Sequence, residues 1–207
     1  MIRILILGHS FSSRMENRIG TWADVRVVGI PGASIAQIDT LIAMSRTRFP
    51  NFRPHFVVLF LGDNQVLTWR GRRSLASEMA RVCAHTLEET GAWDVWIGYL
   101  FARERSRWTP DPAVYNWRAG MVNARLSLEI EALGIPNLHV LRHRCAASTS
   151  VAQSRCRSRA YITHDGTHLS REGWRLSLLI YMRRQLSAAV RRLYHSNMIQ
   201  RLPRSFH

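Results

Sequence analysis

Residues 2–10 read Ile-Arg-Ile-Leu-Ile-Leu-Gly-His-Ser. Residues 2–7 form an apolar run interrupted only by Arg3, and a glycine and two polar residues follow it. A run this rich in isoleucine and leucine is typical of a strand buried on both faces of a parallel sheet. Four further apolar runs follow, at residues 25–30, 56–61, 93–100 and 138–141. The sequence therefore predicts five strands, with Trp93 and Trp96 packed in the core beside the fourth.

Helical patterns separate these strands and follow the last one, at residues 11–20, 35–48, 73–90, 114–133 and 169–194. Alternating strands and helices favour βαβ crossovers, which build a mostly parallel sheet with helices on both faces. A length of 207 residues fits one domain, since domains usually have ~100–200 residues. No internal repeat or linker interrupts the pattern, so we expect a single domain over residues 1–197 and a flexible basic tail over 198–207.

The composition favours a globular protein without a membrane span. Hydrophobic residues make up 46% of the chain, which is enough for a buried core. The apolar runs fall well short of the ~20 residues that a membrane-spanning helix needs, and the N-terminal run is too short for a signal peptide. With only three cysteines (Cys83, Cys145 and Cys156), a disulfide framework is not expected. We therefore expect an intracellular, cytoplasmic protein with reduced thiols.

The charge is unevenly distributed along the chain. All 29 basic residues are arginines, and 13 of them lie in residues 142–207, where Asp165 and Glu172 are the only acidic residues. This excess suggests a nucleic-acid or other polyanion partner, because the planar guanidinium binds phosphate through two hydrogen bonds. The arginines expected to contact it lie on the last predicted helix: Arg175, Arg183, Arg184, Arg191 and Arg192. Codon bias in a GC-rich gene is the alternative explanation for the missing lysines.

Candidate catalytic residues follow the predicted strands, where sites form in open parallel sheets. Ser10 comes directly after the first strand, and its hydroxyl needs a base to become nucleophilic. His168 is the candidate base, and Asp165, three residues earlier, is near enough to orient its ring. Gly32 and Asn64 follow the second and third strands, where a backbone N–H and a side-chain amide can stabilise an oxyanion. Taken singly, each motif also fits an ordinary turn or helix cap.

In this order the motifs resemble those of the SGNH/GDSL hydrolase superfamily, over roughly residues 2–190. Its members have a serine after the first strand, a glycine after the second, Gly-x-Asn-Asp after the third and Asp-x-x-His before the last helix. The resemblance implies a three-layer α/β/α fold with a five-stranded parallel sheet in the flavodoxin-like order 2-1-3-4-5. It also implies that Ser10 is the nucleophile, with Asp165 and His168 completing a catalytic triad, and that the N–H groups of Ser10 and Gly32 form an oxyanion hole with Asn64.

Two positions depart from the family pattern. His9 stands where these hydrolases usually have aspartate, in Gly-Asp-Ser, and Gln65 replaces the final aspartate of the third motif. His9 is not expected to be the base for Ser10, because neighbouring side chains of an extended chain point in opposite directions. We expect both residues to order the surrounding loops. The opening Gly-His-Ser-Phe also resembles animal members, some of which lie in retroelement-derived reading frames.

These residues predict a serine ester hydrolase that cleaves a small acyl ester, such as an acetyl ester, and needs no cofactor. Trp69 and Trp108 are expected to border the site as substrate-binding residues, with packing within loops as an equal alternative. No metal is expected, because a conceivable zinc set fits no strong ligand spacing. That set is His139, His143, Cys145, Cys156 and His164. The alternative function is an arginine-rich nucleic-acid-binding module on a hydrolase scaffold with little or no turnover.

Overall fold

The computed structural model describes residues 1–13, 23–69, 71, 73–105, 109–142, 163, 165–170, 173 and 183–191. The strands are β1 (Arg3–Gly8), β2 (Asp24–Gly29), β3 (Phe56–Phe60), β4 (Asp94–Gly98) and β5 (Leu138–Leu141). The α-helices between them are α1 (Ser10–Ser13), α2 (Ile38–Arg48), α3 (Leu75–Thr90) and α4 (Pro112–Ala132). Residues 183–191 are also helical and are called the C-terminal segment below.

The five strands form one parallel sheet in the order β2-β1-β3-β4-β5. In the pairing of β1 with β2, Arg3 lies opposite Asp24 and Gly8 lies opposite Gly29. The strand order and the parallel direction confirm the prediction, and each strand begins and ends within two residues of its predicted bounds. Because every strand runs the same way, the loops that follow the strands meet at one edge of the sheet.

Alternate residues of the central strands fill two cores, one on each face of the sheet. Leu5 and Leu7 of β1 belong to the core beneath α2, α3 and α4, whereas Ile4 and Ile6 point to the opposite face. Phe11 of α1 and the C-terminal segment cover that second core. Full burial of each such side chain contributes roughly 1.5–3 kcal/mol. Helices, sheet and helices therefore form the three predicted layers.

Local hydrogen bonds explain where α3 and α4 begin. The Ser74 hydroxyl oxygen accepts a hydrogen bond from the N–H of Ser77 at 3.1 Å, and α3 starts at the next residue after Ser74. The Asp111 carboxylate accepts one from the N–H of Ala113 at 2.8 Å, and Pro112 opens α4. These caps satisfy N–H groups that the first helical turn leaves without a partner.

The predicted helix over residues 35–48 is divided in two. A short 3₁₀ helix, Ile35–Gln37, precedes α2. Oε1 of Gln37 accepts a hydrogen bond from the N–H of Ser34 at 2.9 Å, which closes this first turn as a separate unit. The division lies close to the loop after β2 and helps to shape it.

The prediction that Trp93 lies in the core is wrong, whereas the same prediction for Trp96 is confirmed. The Trp93 side chain is 48% exposed, and Trp96 is buried. Trp93 precedes β4 at the amino end of the sheet, where its ring stacks on His55 with 4.0 Å between ring centres. The apolar run therefore begins one residue before the strand that it predicts.

Some predicted features lie outside the described residues, namely residues 14–20 of the first predicted helix, most of the last predicted helix and the tail 198–207. None of the described helices is long and apolar enough to cross a bilayer. Cys83 is described and is a buried free thiol whose pKa is raised by burial, while Cys145 and Cys156 lie outside the described residues.

Candidate active site

Ser10, His168 and Asp165 form a continuous hydrogen-bonded series. Oγ of Ser10 lies 3.0 Å from Nε2 of His168, and Nδ1 of the same ring lies 2.7 Å from Oδ2 of Asp165. A carboxylate at Nδ1 favours the tautomer with its proton on that nitrogen, so that Nε2 can accept a proton from Ser10. The arrangement has the geometry that makes a serine hydroxyl nucleophilic.

The Asp165 carboxylate is fixed by three further donors. Its Oδ1 accepts hydrogen bonds from Oγ1 of Thr163 at 2.6 Å and from the N–H groups of Thr167 and His168, both at 2.9 Å. Burial raises the pKa of Asp165, but the hydrogen bonds from Thr163, His168 and Thr167 lower it more, and the pKa lies well below its ordinary value. Asp165 is therefore ionised at neutral pH and holds the ring in one orientation.

A tight turn brings Asp165 and His168 together. The N–H of Thr163 donates to the carbonyl of His168 at 2.7 Å, and the N–H of Gly166 donates to the carbonyl of Thr163 at 2.9 Å. Gly166 has a φ of +66°, and a Cβ at this position would lie 2.6 Å from Cγ of Arg105. Its carbonyl accepts from the N–H of Arg105 at 3.0 Å, which ties the turn to the loop after β4. Glycine is therefore required at position 166.

Ser10 owes its position to a sharp turn at the end of β1. A side chain at Gly8 would collide with the carbonyl oxygen of Phe60 on β3, so the two strands approach closely at this point. The N–H of Ser12 donates to the carbonyl of His9 at 2.9 Å, which starts α1 immediately after the strand. This strand-to-helix turn places the Ser10 hydroxyl at the carboxyl edge of the sheet.

The series opens onto a groove with a volume of about 410 Å³. The described residues that line it are Ser10, Phe11, Pro31, Gly32, Asn64, Arg103, Asp165, Thr167 and His168. All five residues predicted for the triad and the oxyanion hole are among them. Gly32 has a φ of +79° with open space where a Cβ would be, and Nδ2 of Asn64 donates to the carbonyl of Ala33 at 3.1 Å. That hydrogen bond joins the loops that follow β2 and β3.

The two departures from the family pattern both join loops, as expected. Nε2 of His9 lies 3.0 Å from Oδ2 of Asp63, and both side chains are buried. Oδ1 of Asp63 accepts hydrogen bonds from the hydroxyl of Tyr115 at 3.0 Å and from the N–H of Phe101 at 3.1 Å. Oε1 of Gln65 accepts one from the N–H of Ile35 at 2.8 Å. These hydrogen bonds therefore connect the loops that follow β1, β2, β3 and β4.

Charge stabilises the Asp63 carboxylate in this buried network. Burial raises the pKa of Asp63, but the hydrogen bond from His9 and the charges of His9 and Arg103 lower it more, so that the pKa lies below its ordinary value. Burial and the neighbouring Asp63 carboxylate raise the pKa of Tyr115, so that its hydroxyl remains a donor. The network thus contains one carboxylate that accepts from several donors.

Trp69 has packing contacts in a loop. Its ring packs against the core beneath α2, α3 and α4, and its Nε1–H donates to the carbonyl of Arg73 at 2.8 Å. It is not among the described residues that line the groove, and Trp108 lies outside the described residues. A substrate-binding role for either tryptophan stays a prediction.

Three of the arginines predicted to contact a polyanion are described. Arg183, Arg184 and Arg191 are exposed on the C-terminal segment, whereas Arg175 and Arg192 lie outside the described residues. Exposure makes the three arginines accessible to a partner without identifying one.

Of the five residues in the conceivable zinc set, the structure describes only His139. Nε2 of His139 lies 3.5 Å from Oδ1 of Asp94. The other members, His143, Cys145, Cys156 and His164, lie outside the described residues. Within the described part of the chain, no group of His, Cys, Asp and Glu side chains could hold a metal ion.

Sequence reasoning missed two polar residues of the site, Thr163 and Arg103. Thr163 holds Asp165, and Arg103 lines the groove. Thr163 lies two positions before the Asp-x-x-His motif, so its closeness to Asp165 was a usable signal. Arg103 follows β4 at the same sheet edge as the other site residues, and the rule that places sites after parallel strands could have found it.

No family model and no curated protein matches this chain. A solved structure of a GDSL-like lipase from Bacteroides thetaiotaomicron matches with 17% identity and a TM-score of 0.65, over 90% of this chain and 88% of the other. The lipase/acylhydrolase from Enterococcus faecalis matches with 16% identity and a TM-score of 0.58, over 91% and 97%. A psychrotrophic esterase from Pseudoalteromonas sp. matches with 14% identity and a TM-score of 0.59, over 92% and 100%. The chain therefore has the fold of the SGNH/GDSL hydrolase superfamily.

Proposed function

We propose that this protein is a serine ester hydrolase of the SGNH/GDSL superfamily that cleaves a small acyl ester, such as an acetyl ester. The observation that carries the proposal is the series from Oγ of Ser10 to Nε2 of His168, at 3.0 Å, and from Nδ1 of His168 to Oδ2 of Asp165, at 2.7 Å. Both distances fall within the hydrogen-bond range that general-base catalysis requires.

In the proposed reaction His168 removes the proton from Ser10 while Oγ attacks the ester carbonyl carbon. The resulting tetrahedral intermediate collapses when the bond to the alcohol oxygen breaks and protonated His168 returns its proton to that oxygen. The alcohol leaves, and an acyl group remains on Ser10. Water then attacks this acyl-enzyme with His168 as the base, which releases the acid and restores the hydroxyl. Asp165 stabilises the imidazolium in both steps.

Three donors are proposed to stabilise the oxyanion of each tetrahedral intermediate. They are the backbone N–H groups of Ser10 and Gly32 and the side-chain amide of Asn64, and all three residues line the groove. Loss of one such donor typically slows catalysis by roughly 10²–10³-fold. The positive φ of Gly32 and the hydrogen bond from Asn64 to Ala33 support a fixed arrangement of the loops that carry these donors.

The size of the groove supports a short acyl chain. Its volume of about 410 Å³ lies towards the lower end of ligand pockets, which usually measure ~300–1,000 Å³. The rings and methylenes of Phe11 and Pro31 supply apolar contact, and the remaining lining residues are mostly polar. A small ester with a polar alcohol part suits such a surface.

Hydrolysis of 4-nitrophenyl acetate tests the proposal. We expect turnover by the wild-type protein and a loss of roughly 10³-fold or more in kcat for Ser10→Ala. Ser12→Ala is the matched control, because Ser12 lies on the same short helix, is buried and has a hydroxyl without a hydrogen-bond partner among the described residues. Equal activity in Ser10→Ala and Ser12→Ala would contradict the proposal.

A second candidate function, binding of nucleic acid with little or no turnover, is favoured by the exposed arginines of the C-terminal segment. Electrophoretic shifts of single-stranded RNA over a salt series test it. Sequence-independent binding should weaken as salt rises and should weaken further when Arg183, Arg184 and Arg191 are replaced by glutamine. Absence of a shift even at low salt would remove this candidate. Nucleic-acid binding by itself is compatible with ester hydrolysis in one chain.

A further inference from the structure

We propose that Arg103 binds an anionic oxygen group, a carboxylate or a phosphate, on the ester that enters the groove. This inference rests on the proposed hydrolase function and identifies the chemical class of its substrate. It is carried by a buried arginine that lines the groove and whose Nε has no hydrogen-bond partner among the described residues.

The backbone of Arg103 is held in place in the loop after β4. Its N–H donates to Oδ1 of Asn116 at 2.8 Å, and its carbonyl accepts from Nδ2 of Asn116 at 2.8 Å. Asn116 lies on α4, so this reciprocal pair ties the loop to a long helix. The side chain of Arg103 therefore starts from a fixed position.

The side chain is buried and in contact with both a ring and the groove. Cζ of Arg103 lies 4.4 Å from the centre of the Tyr115 ring, and the side chain is only 5% exposed. Arg103 lines the groove together with Ser10 and His168, yet its Nε has no hydrogen-bond partner among the described residues. A buried donor without an acceptor is destabilising, and more so when the group is charged. An acceptor on a bound ligand that reached this N–H would satisfy it.

Asp63 and Asp165 both accept hydrogen bonds from other donors. Asp63 accepts hydrogen bonds from His9, from Tyr115 and from the backbone of Phe101. Asp165 accepts from Thr163, Thr167 and His168 in the turn described above. The charge of Arg103 acts on Asp63 and lowers the pKa of that carboxyl, but the Nε–H of Arg103 has no acceptor among the described residues. The hydrogen-bonding capacity of the guanidinium is therefore incompletely used.

An anionic oxygen group fits this environment better than a neutral one. A guanidinium can offer two parallel N–H groups to a carboxylate or a phosphate, and hydrogen bonds between charged groups are the stronger kind. Such a hydrogen bond typically contributes ~1.5–3 kcal/mol, which corresponds to roughly 10–100-fold in binding. We therefore expect esters of anionic molecules to be hydrolysed in preference to matched neutral esters.

The test compares each acid with its neutral methyl ester. In 4-acetoxybenzoate the carboxylate lies on the alcohol side of the scissile ester, and in mono(4-nitrophenyl) adipate it lies on the acyl side. Wild-type protein should favour at least one acid over its methyl ester by about 10-fold in kcat/KM. Measurement of kcat/KM for 4-acetoxyphenyl phosphate, in place of 4-acetoxybenzoate, shows whether the site prefers a phosphate or a carboxylate as the anionic group.

Two variants of Arg103 then assign the preference to this residue. Arg103→Gln should reduce the acid-to-methyl-ester ratio of kcat/KM by about 10-fold, and Arg103→Lys, which keeps the charge, should reduce it less. Arg125→Gln is the control and should keep the wild-type ratio, because Arg125 pairs with Glu129 on the exposed side of α4.

The outcomes separate this inference from the proposed function. An unchanged ratio in Arg103→Gln would overturn the inference, and so would a wild-type enzyme without preference for either acid or for the phosphate. Folded wild-type protein that hydrolyses none of the esters would contradict the hydrolase proposal itself.

If Arg103→Gln fails to fold, wild-type protein supplies the second measurement. Benzoate should then inhibit hydrolysis of the neutral ester about 10-fold more strongly than benzamide, and equal inhibition would overturn the inference.

Discussion

His9 and Asp63 form a buried pair next to Ser10, with Nε2 of His9 3.0 Å from Oδ2 of Asp63 and both side chains at most 2% exposed. A second histidine–aspartate pair, His85 with Asp39, has a shorter distance of 2.6 Å, but Asp39 is 76% exposed. The two pairs differ in burial and in their further partners, since Asp63 also accepts hydrogen bonds from Tyr115 and Phe101. A comparison of the two therefore measures what the buried network contributes beyond an exposed pair.

We expect Asp63→Asn to reduce the free energy of unfolding by about 3 kcal/mol, because it breaks a buried pair and leaves its partners poorly satisfied. Asp39→Asn should cost less than about 1 kcal/mol, since water screens an exposed pair. Urea unfolding at pH 7 measures both values. Similar losses in the two variants would show that the Asp63 network contributes no more than a surface contact.

The stability difference between wild type and Asp63→Asn should depend on pH. The pKa of Asp63 in the folded protein lies below its ordinary value of 3.8, so the carboxylate stabilises the fold above about pH 4. This contribution is lost as pH falls through the lowered pKa, because Asp63 becomes protonated in the folded state as well. The difference in unfolding free energy should thus narrow as pH falls from about 4 through the lowered pKa of Asp63. A difference that widens below pH 4 would contradict the assigned direction.

Removal of the Thr163 hydroxyl should impair catalysis more than folding. Thr163→Val deletes the 2.6 Å hydrogen bond to Oδ1 of Asp165, which raises the pKa of Asp165 and loosens the carboxylate that orients His168. We expect a fall of about 10-fold in kcat for 4-nitrophenyl acetate with little change in KM. Thr90→Val is the control, because it also removes a threonine hydroxyl bonded at 2.7 Å, here to a backbone carbonyl of α3. Equal kcat values in the two variants would count against a positioning role for Thr163.

A comparison of Gly32→Ala with Gly91→Ala should distinguish the effect of backbone strain on stability from an effect on catalysis at the site. Gly32 has a φ of +79°, where a side chain costs roughly 1–2 kcal/mol, although no atom lies within 4 Å of the added Cβ. Gly91 has a φ of +61° and equally open surroundings at the end of α3, far from the groove-lining residues. Both alanine variants should lose about 1–2 kcal/mol of stability, but only Gly32→Ala should lower kcat, by about 10-fold or more. A matching loss of activity in Gly91→Ala would show that strain alone is responsible.

The strands and the position of the site edge could be predicted from the sequence because each depends on local patterns, whereas the order of the strands was implied by the resemblance to the SGNH/GDSL superfamily. The runs that became β1 and β3 are apolar apart from Arg3, and Gly8 and Gly62 mark where they end, so their carboxyl ends were visible in the sequence. The rule that sites form after parallel strands then brought Ser10 and Asn64 to one edge. The observed groove holds both residues.

Pairwise contacts between distant residues could not be predicted in the same way. His9 and Asp63 are 54 positions apart, and their pairing depends on the close approach of β1 and β3. Trp93 was wrongly predicted to lie in the core because it begins the apolar run 93–100, and nothing in that run marks Asp94 as the first residue of the strand. Burial of an arginine is likewise invisible in a sequence with 29 arginines, so Arg103 did not stand out.

Labelling with a fluorophosphonate probe identifies the nucleophile most directly, with the adduct located by mass spectrometry of the intact protein and of its peptides. Such a probe forms a bond with a serine oxygen that has been activated by a base. We predict a single adduct on Ser10, which is absent in Ser10→Ala and retained in Ser12→Ala. A folded wild-type protein that remains unlabelled, or that carries the adduct on another serine, would contradict it.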